Sequence, residues 1–277
     1  MEYKIIGDSC TDITEEMKQE GMVSLVPLTL TIEGTEFVDD ETFNQKEFIE
    51  KMKASAECPK SACPSPELYM KEFEGQKECY VVTLSSRLSG SYNSAVLARE
   101  MYLEEHPEAK IEIVDSRSAS CGQMLIAVKL KELKEKGLDF YAVKEKIAEF
   151  RDAMETKFVL ESLENLRKNG RLSRVTFTIC SVLNIRPVMA AEDGEIIKID
   201  QVRGHNKALM RMIEGIEKDA RDVANKILGI AHCNNRERAE MVKREILKRL
   251  PFKDCIIVNT AGVATLYAND GGIIVSY

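Results

Sequence analysis

Short, mainly apolar runs alternate with segments of helical spacing along the first half of the chain. The runs are typical of buried strands, and the segments place their apolar residues on one face of a helix. Predicted strands are residues 3–6, 23–32, 80–84 and 111–114, and predicted helices are residues 14–20, 46–53, 66–73, 92–104, 119–136 and 141–154. Strands that alternate with helices favour a largely parallel sheet with helices on its faces.

The pattern changes in the second half of the chain. Two apolar runs at 185–191 and 196–202 flank Asp193 and Gly194, and an Asp-Gly pair is the strongest short-range signal of a β-hairpin. Further strands are predicted at 226–232, 255–259 and 273–277, with helices at 205–221 and 236–249. We therefore predict an α/β protein of two domains, a mainly parallel 1–155 and a mixed 156–277.

The net charge of the protein limits the classes of macromolecule that it is expected to bind. The 277 residues carry a formal net charge of −7, which argues against nonspecific binding to nucleic acid or to an anionic membrane, because both are polyanions. No apolar run is long enough to span a bilayer, and the first residues lack the parts of a secretory signal. We expect a cytoplasmic protein and, without an obvious apolar patch, a monomer.

The spacing of the cysteines and the absence of common catalytic motifs limit the kinds of metal site and reaction that the sequence supports. Eight cysteines are scattered along the chain; only Cys58 and Cys63 lie close, and no second Cys or His pair completes a zinc site. The sequence lacks the phosphate-binding, dinucleotide-binding, metalloprotease and nucleophile-elbow motifs. We expect free thiols, no metal and no cofactor.

A serine-rich turn follows the predicted strand at 80–84 and leads into a helix. Its hydroxyls, the backbone at Gly90 and the unpaired N–H groups of the first helical turn are suited to holding an anion. The simpler interpretation is that Ser89 or Ser91 caps the helix.

Carboxylates and cations occur in four other loops. Asp8, Asp12 and Asp115 follow predicted strands, where they either take part in ligand binding or catalysis or only cap turns. Arg171, Arg174 and Arg203 are candidates for contact with a carboxylate, a phosphate or an acidic partner, since a helix end at Gly170 accounts only for the cations before it. Each position leaves a structural and a functional interpretation open.

Taken in order, the loop motifs resemble those of the DegV family of bacterial fatty-acid-binding proteins, over essentially the whole chain. They are residues 8–12 (DSCTD), 26–28 (VPL), 61–65 (SACPS), 84–92 (LSSRLSGSY), 114–116 (VDS), 169–173 (NGRLS), 185–187 (IRP) and 202–204 (VRG). The resemblance implies a carrier of one long-chain fatty acid, without catalytic residues. The carrier would present the carboxylate to a fatty acid kinase, with head-group loops in the first domain and an acyl-chain tunnel in the second.

The resemblance also implies ligand-binding residues. Ser61 stands where the family has a threonine that binds the head group, and Ser89 with Gly90 stands where its Ser-Gly pair meets the carboxylate. Arg171 and Arg203 occupy family arginine positions near the site or the partner surface.

Three positions depart from the family pattern. Residues 61–63 read Ser-Ala-Cys instead of Thr-Ser-Gln, which removes an amide and a hydroxyl near the head group. Tyr267 stands where a histidine is usual, and Asn169 replaces a glycine, a change that a left-handed backbone would tolerate.

Two functions from different classes follow from these residues. The first is the fatty-acid carrier. The alternative is a small-molecule enzyme, for phosphoryl transfer or hydrolysis, that uses the strand-end Asp8, Asp12 or Asp115 and the serine-rich turn as its anion cradle.

Overall fold

Thirteen strands in three sheets and ten α-helices make up the part of the chain that the computed structural model describes, residues 3–172 and 184–277. The strands are β1 Lys4–Asp8, β2 Ser24–Val26, β3 Thr29–Ile32, β4 Thr35–Val38, β5 Lys60–Ala62, β6 Glu78–Thr83, β7 Lys110–Asp115, β8 Thr156–Val159, β9 Ile185–Glu192, β10 Glu195–Arg203, β11 Ile227–His232, β12 Asp254–Asn259 and β13 Ile273–Ser276. The helices are α1 Glu15–Gln19, α2 Gln45–Ala54, α3 Pro66–Phe73, α4 Ser91–Glu105, α5 Cys121–Glu135, α6 Phe140–Asp152, α7 Glu164–Lys168, α8 His205–Asp219, α9 Arg236–Leu247 and α10 Gly262–Ala268.

The first sheet is parallel throughout, as the alternation of strands and helices predicted. Its order is β2-β1-β6-β7. Helices cover it on both sides, so its central strands are buried on both faces and read as continuous apolar runs. Because the strands run the same way, the loops after β1, β6 and β7 emerge together at the carboxyl edge, where open α/β sheets bind ligands.

The second large sheet is mixed and has the order β10-β9-β8-β13-β11-β12. Its β9–β10 hairpin confirms the Asp193-Gly194 prediction, and both turn residues have positive φ, 49° and 80°. A side chain at Gly194 would also meet Ser85 Oγ at 2.6 Å, so glycine is required there by conformation and by space. The fold class is therefore confirmed as α/β, with a parallel sheet and a mixed sheet.

One predicted strand is wrong in detail. Residues 23–32 form two strands in different sheets: β2 pairs with β1, whereas β3 pairs with β4 and β5 in a small antiparallel sheet. The chain changes direction at Pro27, whose missing N–H cannot continue a ladder. The adjacent Leu28 N–H donates to Ser9 Oγ at 3.0 Å instead.

Helix α5 lies between the two large sheets. It contacts β1 and β6 on one side and β11 and β13 on the other, and residues 121–127 are almost completely buried. The first sheet uses residues up to 115 and the mixed sheet begins at 156. The domain boundary near residue 155 stays a prediction, because α5 shares its core with both sheets.

Candidate functional site

A cavity of about 350 Å³ lies where the three sheets meet. Loops at the carboxyl edge of the parallel sheet form one wall. Contributing residues include Cys10 after β1, Leu84 and residues 88–90 after β6, and residues 117–120 after β7. Sequence analysis predicted polar groups at this edge of the sheet.

The opposite wall comes from the mixed sheet and two short helices, and it is mainly apolar. Its residues include Phe158, Leu160, Ile196 and Ile274 from the sheet, Leu166 from α7, and Val263, Ala264 and Ala268 from α10. A volume of this size falls in the range of about 300–1,000 Å³ that small-molecule sites occupy. The space is therefore suited to an apolar ligand with few polar groups.

Five lining residues form a group that we call the polar end: Ser61, Ser89, Gly90, Arg171 and Tyr267. Other polar lining residues, such as Arg117 and Thr156, are not part of this group. Ser61 Oγ and the Tyr267 hydroxyl lie 3.1 Å apart and share a hydrogen bond. Gly90 faces Cys63, since a side-chain carbon at Gly90 would lie 3.1 Å from its Sγ. The contact between Ser61 and Tyr267 brings together residues that are 206 positions apart in sequence.

Arg171 supplies the positive charge of the polar end. Its guanidinium lies 5.9 Å from the centre of the Tyr267 ring, and its Nε donates to Leu88 O at 3.2 Å. Burial raises the pKa of Tyr267, although the hydrogen bond with Ser61 and the charge of Arg171 act in the opposite direction. The phenol is therefore neutral at physiological pH and keeps a proton that it can donate in a hydrogen bond.

Neither serine of the predicted cap occupies the N-cap position of α4. Gly90 precedes the first helical residue, and no side chain accepts a capping hydrogen bond there. Ser91 instead donates to Asp8 Oδ2 at 2.5 Å, and Ser89 Oγ accepts from Ser91 N–H at 3.2 Å. Ser89 therefore satisfies the first helical N–H from outside the N-cap position, and no side chain among the described residues accepts from the next N–H groups of the first turn, which suit an anion.

The strand-end aspartates hold the loops together. Asp8 accepts from Leu84 N–H at 2.7 Å and Gln123 Nε2 at 2.8 Å, and Asp115 accepts from the backbone and side chain of Ser86. Burial raises the pKa of Asp8. Neither carboxylate is among the described residues that line the cavity.

Sequence reasoning missed the anchoring of α10, the helix that carries Tyr267. Asp39 Oδ1 accepts from Gly262 N–H at 2.6 Å and Oδ2 from Val263 N–H at 2.9 Å, while Asp12 accepts from Ala261 N–H at 2.6 Å. Burial raises the pKa of Asp12 to about 7 and that of Asp39 to about 6. Two carboxylates from distant loops thus fix the start of the helix that forms the cavity wall.

Comparison with known proteins identifies the family. The family model described as "Uncharacterised protein, DegV family" matches residues 2–277. The chain belongs to the DegV family. A DegV domain-containing protein of Streptococcus pneumoniae is 37% identical over 280 residues, which are 100% of this chain and 99% of the relative.

Solved DegV structures share the whole fold. A DegV family protein from Ruminococcus gnavus, refined with vaccenic acid, has 44% identity and a TM-score of 0.97, with 100% of this chain and 99% of that chain covered. The Streptococcus pneumoniae Fatty Acid Kinase (Fak) B3 protein, loaded with linoleic acid, has 36% identity and a TM-score of 0.91 at the same coverage. Both relatives therefore have a fatty acid in a fold that matches this one from end to end.

Four residues that depart from the DegV pattern, Ser61, Ala62, Cys63 and Tyr267, line the cavity. The expectation for Asn169 is wrong: its φ is −87°, and the next residue, Gly170, takes the left-handed conformation at 74°. The Asn169 side chain donates to Pro59 O at 3.0 Å, a contact that a glycine could not make.

The remaining predicted residues lie elsewhere. Arg203 is exposed at the end of β10 and is not among the described residues that line the cavity, so its role stays a prediction. Arg174 lies outside the described residues. Within the described ranges, no group of His, Cys, Asp and Glu is arranged to hold a metal ion, and no helix is long and apolar enough to cross a membrane.

Proposed function

We propose that this DegV protein binds one long-chain fatty acid in the cavity, with the carboxylate at the polar end and the tail against the apolar wall. The observation that carries the proposal is a mainly apolar cavity in which hydroxyl groups and the Arg171 guanidinium meet at the polar end. That distribution matches an amphipathic ligand with a single anionic group. Fatty acids in the relatives from Ruminococcus gnavus and Streptococcus pneumoniae support it.

The tail supplies most of the affinity. Burial of an alkyl chain contributes roughly 0.8 kcal/mol per CH₂, so a chain of about 16 carbons gains on the order of 10 kcal/mol before the cost of ordering it. A ligand held this strongly stays bound through purification.

The head group needs hydrogen-bond donors, because a buried carboxylate without them is strongly disfavoured. Ser61, Ser89, the backbone at Gly90, and Tyr267 offer neutral donors, and Arg171 offers a charge-assisted one.

We further propose that the protein presents the carboxylate to a fatty acid kinase and is not itself the catalyst. The lining includes Arg171 but none of Asp8, Asp12 and Asp115, so the contacts of these aspartates give the enzyme alternative no support. The exposed Arg203 is a candidate contact for the kinase. Acyl phosphate formation by a purified fatty acid kinase should require the loaded protein and should fall in an Arg203→Ala variant that still binds fatty acid.

The binding proposal is tested with delipidated protein, a saturated fatty acid and the fatty alcohol of equal length. The acid should bind more tightly than the alcohol, and Ser61→Ala should reduce that difference about 10-fold, as expected for a lost hydrogen bond to a charged group. Ser24→Ala is the matched control, because Ser24 is another half-buried strand serine with one hydrogen bond, to Glu72. Equal binding of acid and alcohol by the wild type would contradict the assignment of the polar end.

A further inference from the structure

Two lining residues away from the polar end, Ser118 and Thr156, belong to a chain of buried hydroxyls. Ser118 Oγ lies 2.7 Å from Thr156 Oγ1, which lies 2.9 Å from Ser276 Oγ. Cys121 Sγ extends the chain at 3.5 Å from Ser276 Oγ. Ser118 and Thr156 therefore place polar atoms on the wall of a mainly apolar cavity.

The surrounding chain leaves space for these hydroxyls. Gly122 begins the first turn of α5, and a side-chain carbon there would overlap Ser118 Oγ and lie 3.2 Å from Ser276 Oγ. Ser118 is 4% exposed and Thr156 6%. Such groups cost free energy unless each donor and acceptor finds a partner.

The hydrogen bonds of these hydroxyls leave one hydrogen-bonding position of the Ser118 hydroxyl, either its proton or a lone pair, without a partner among the described residues. If the chain donates from Ser276 through Thr156, the Ser118 proton has no acceptor among the described residues. If it donates in the opposite direction, Ser276 Oγ accepts from both Thr156 and the Cys121 thiol, and the Ser118 lone pairs face no described donor. Whichever way the hydroxyls donate, the unpaired hydrogen-bonding position of Ser118 lies on a residue of the cavity wall.

We propose that Ser118 and Thr156 form a subsite for a hydroxyl group on the acyl chain, so the preferred ligand is a hydroxylated long-chain fatty acid. This inference rests on the proposed function, since the carboxylate must occupy the polar end. A hydroxyl both donates and accepts, so it pairs with Ser118 in either direction of the chain, whereas a keto oxygen only accepts. A plain alkyl chain would leave this position of Ser118 unpaired.

The test compares stearic acid with hydroxystearic acids that carry the hydroxyl near the carboxyl end, in mid-chain or near the methyl end. Each acid is titrated into delipidated wild-type protein and into Thr156→Val, Thr156→Ser and Ser118→Ala. Thr83→Val is the matched control, because Thr83 is a buried strand threonine that does not line the cavity and whose hydroxyl has no partner.

One positional isomer should bind about 2- to 10-fold more tightly than stearic acid, the effect of one net hydrogen bond. The preference should disappear in Thr156→Val and Ser118→Ala and persist in Thr156→Ser and Thr83→Val. If the wild type binds stearic acid and prefers no isomer, the subsite is refuted while the fatty-acid function stands. If it binds none of the acids, both proposals fail. The comparison of isomers on the wild type decides the question even if a variant does not fold.

Discussion

Replacement of Tyr267 by phenylalanine removes one oxygen from the polar end and leaves the ring in place. The lost hydroxyl shares a single hydrogen bond, with Ser61 Oγ at 3.1 Å. The ring still packs below the Arg171 guanidinium. The substitution therefore removes one hydrogen-bonding hydroxyl and leaves the packing of the ring nearly unchanged.

Tyr267→Phe should affect the stability of the ligand-free protein and its affinity for fatty acid to different extents. Loss of one neutral hydrogen bond costs the ligand-free protein about 1 kcal/mol or less, whereas loss of a donor to a carboxylate costs about 1.5–3 kcal/mol. Fatty acid should therefore bind about 10- to 150-fold more weakly to Tyr267→Phe. Binding of the matched fatty alcohol should change much less.

The assay is equilibrium titration of the delipidated proteins, with urea unfolding in parallel. Tyr102→Phe is the matched control, because the Tyr102 hydroxyl donates to Phe73 O at 3.1 Å and the residue lies outside the cavity. It should lose similar stability and no affinity. Unchanged affinity for the acid in Tyr267→Phe would refute the role of this phenol as a head-group donor.

Two further predictions concern stability. Because the folded-state pKa values of Asp12 and Asp39, about 7 and about 6, exceed the ordinary value of 3.8, the folded state holds extra protons between these limits. The contribution of these two groups to stability is full below about pH 4 and is lost as pH rises through about 6 to 7. The free energy of unfolding in urea should therefore decrease less over this window in Asp12→Asn than in the wild type. An equal decrease in both proteins would contradict the assignment. Gly194→Ala should destabilise the protein by about 1–2 kcal/mol, because it forces a side chain into a positive-φ turn against Ser85 Oγ; an unchanged denaturation midpoint would contradict this.

The spacing of apolar residues and the residues typical of turns predicted most of the strands and helices. The central parallel strands β1 and β6 appear as apolar runs because both faces of the sheet are covered, and Asp193-Gly194 specified the β9–β10 hairpin. The run at 23–32 carries no local signal that its two halves enter different sheets, apart from Pro27. Pairing partners depend on tertiary contacts that periodicity does not encode.

The candidate site was only partly predictable for the same reason. The loop at Ser89 and Gly90 could be recognised from its own residues, whereas Tyr267 was singled out by the family resemblance alone. Asp39 was missed because its partners on α10 are more than 220 positions away. No local spacing distinguishes an aspartate that anchors a remote helix from one that caps its own turn.

Mass spectrometry of the purified protein, under native and then denaturing conditions, tests the central claim most directly. The fatty-acid proposal predicts a mass excess of one acyl species per chain that is lost on denaturation and recovered as a free fatty acid in the organic extract; a hydroxylated species would also support the Ser118 subsite. A protein that has no acyl species, and that binds none when fatty acid is added after delipidation, would contradict the account.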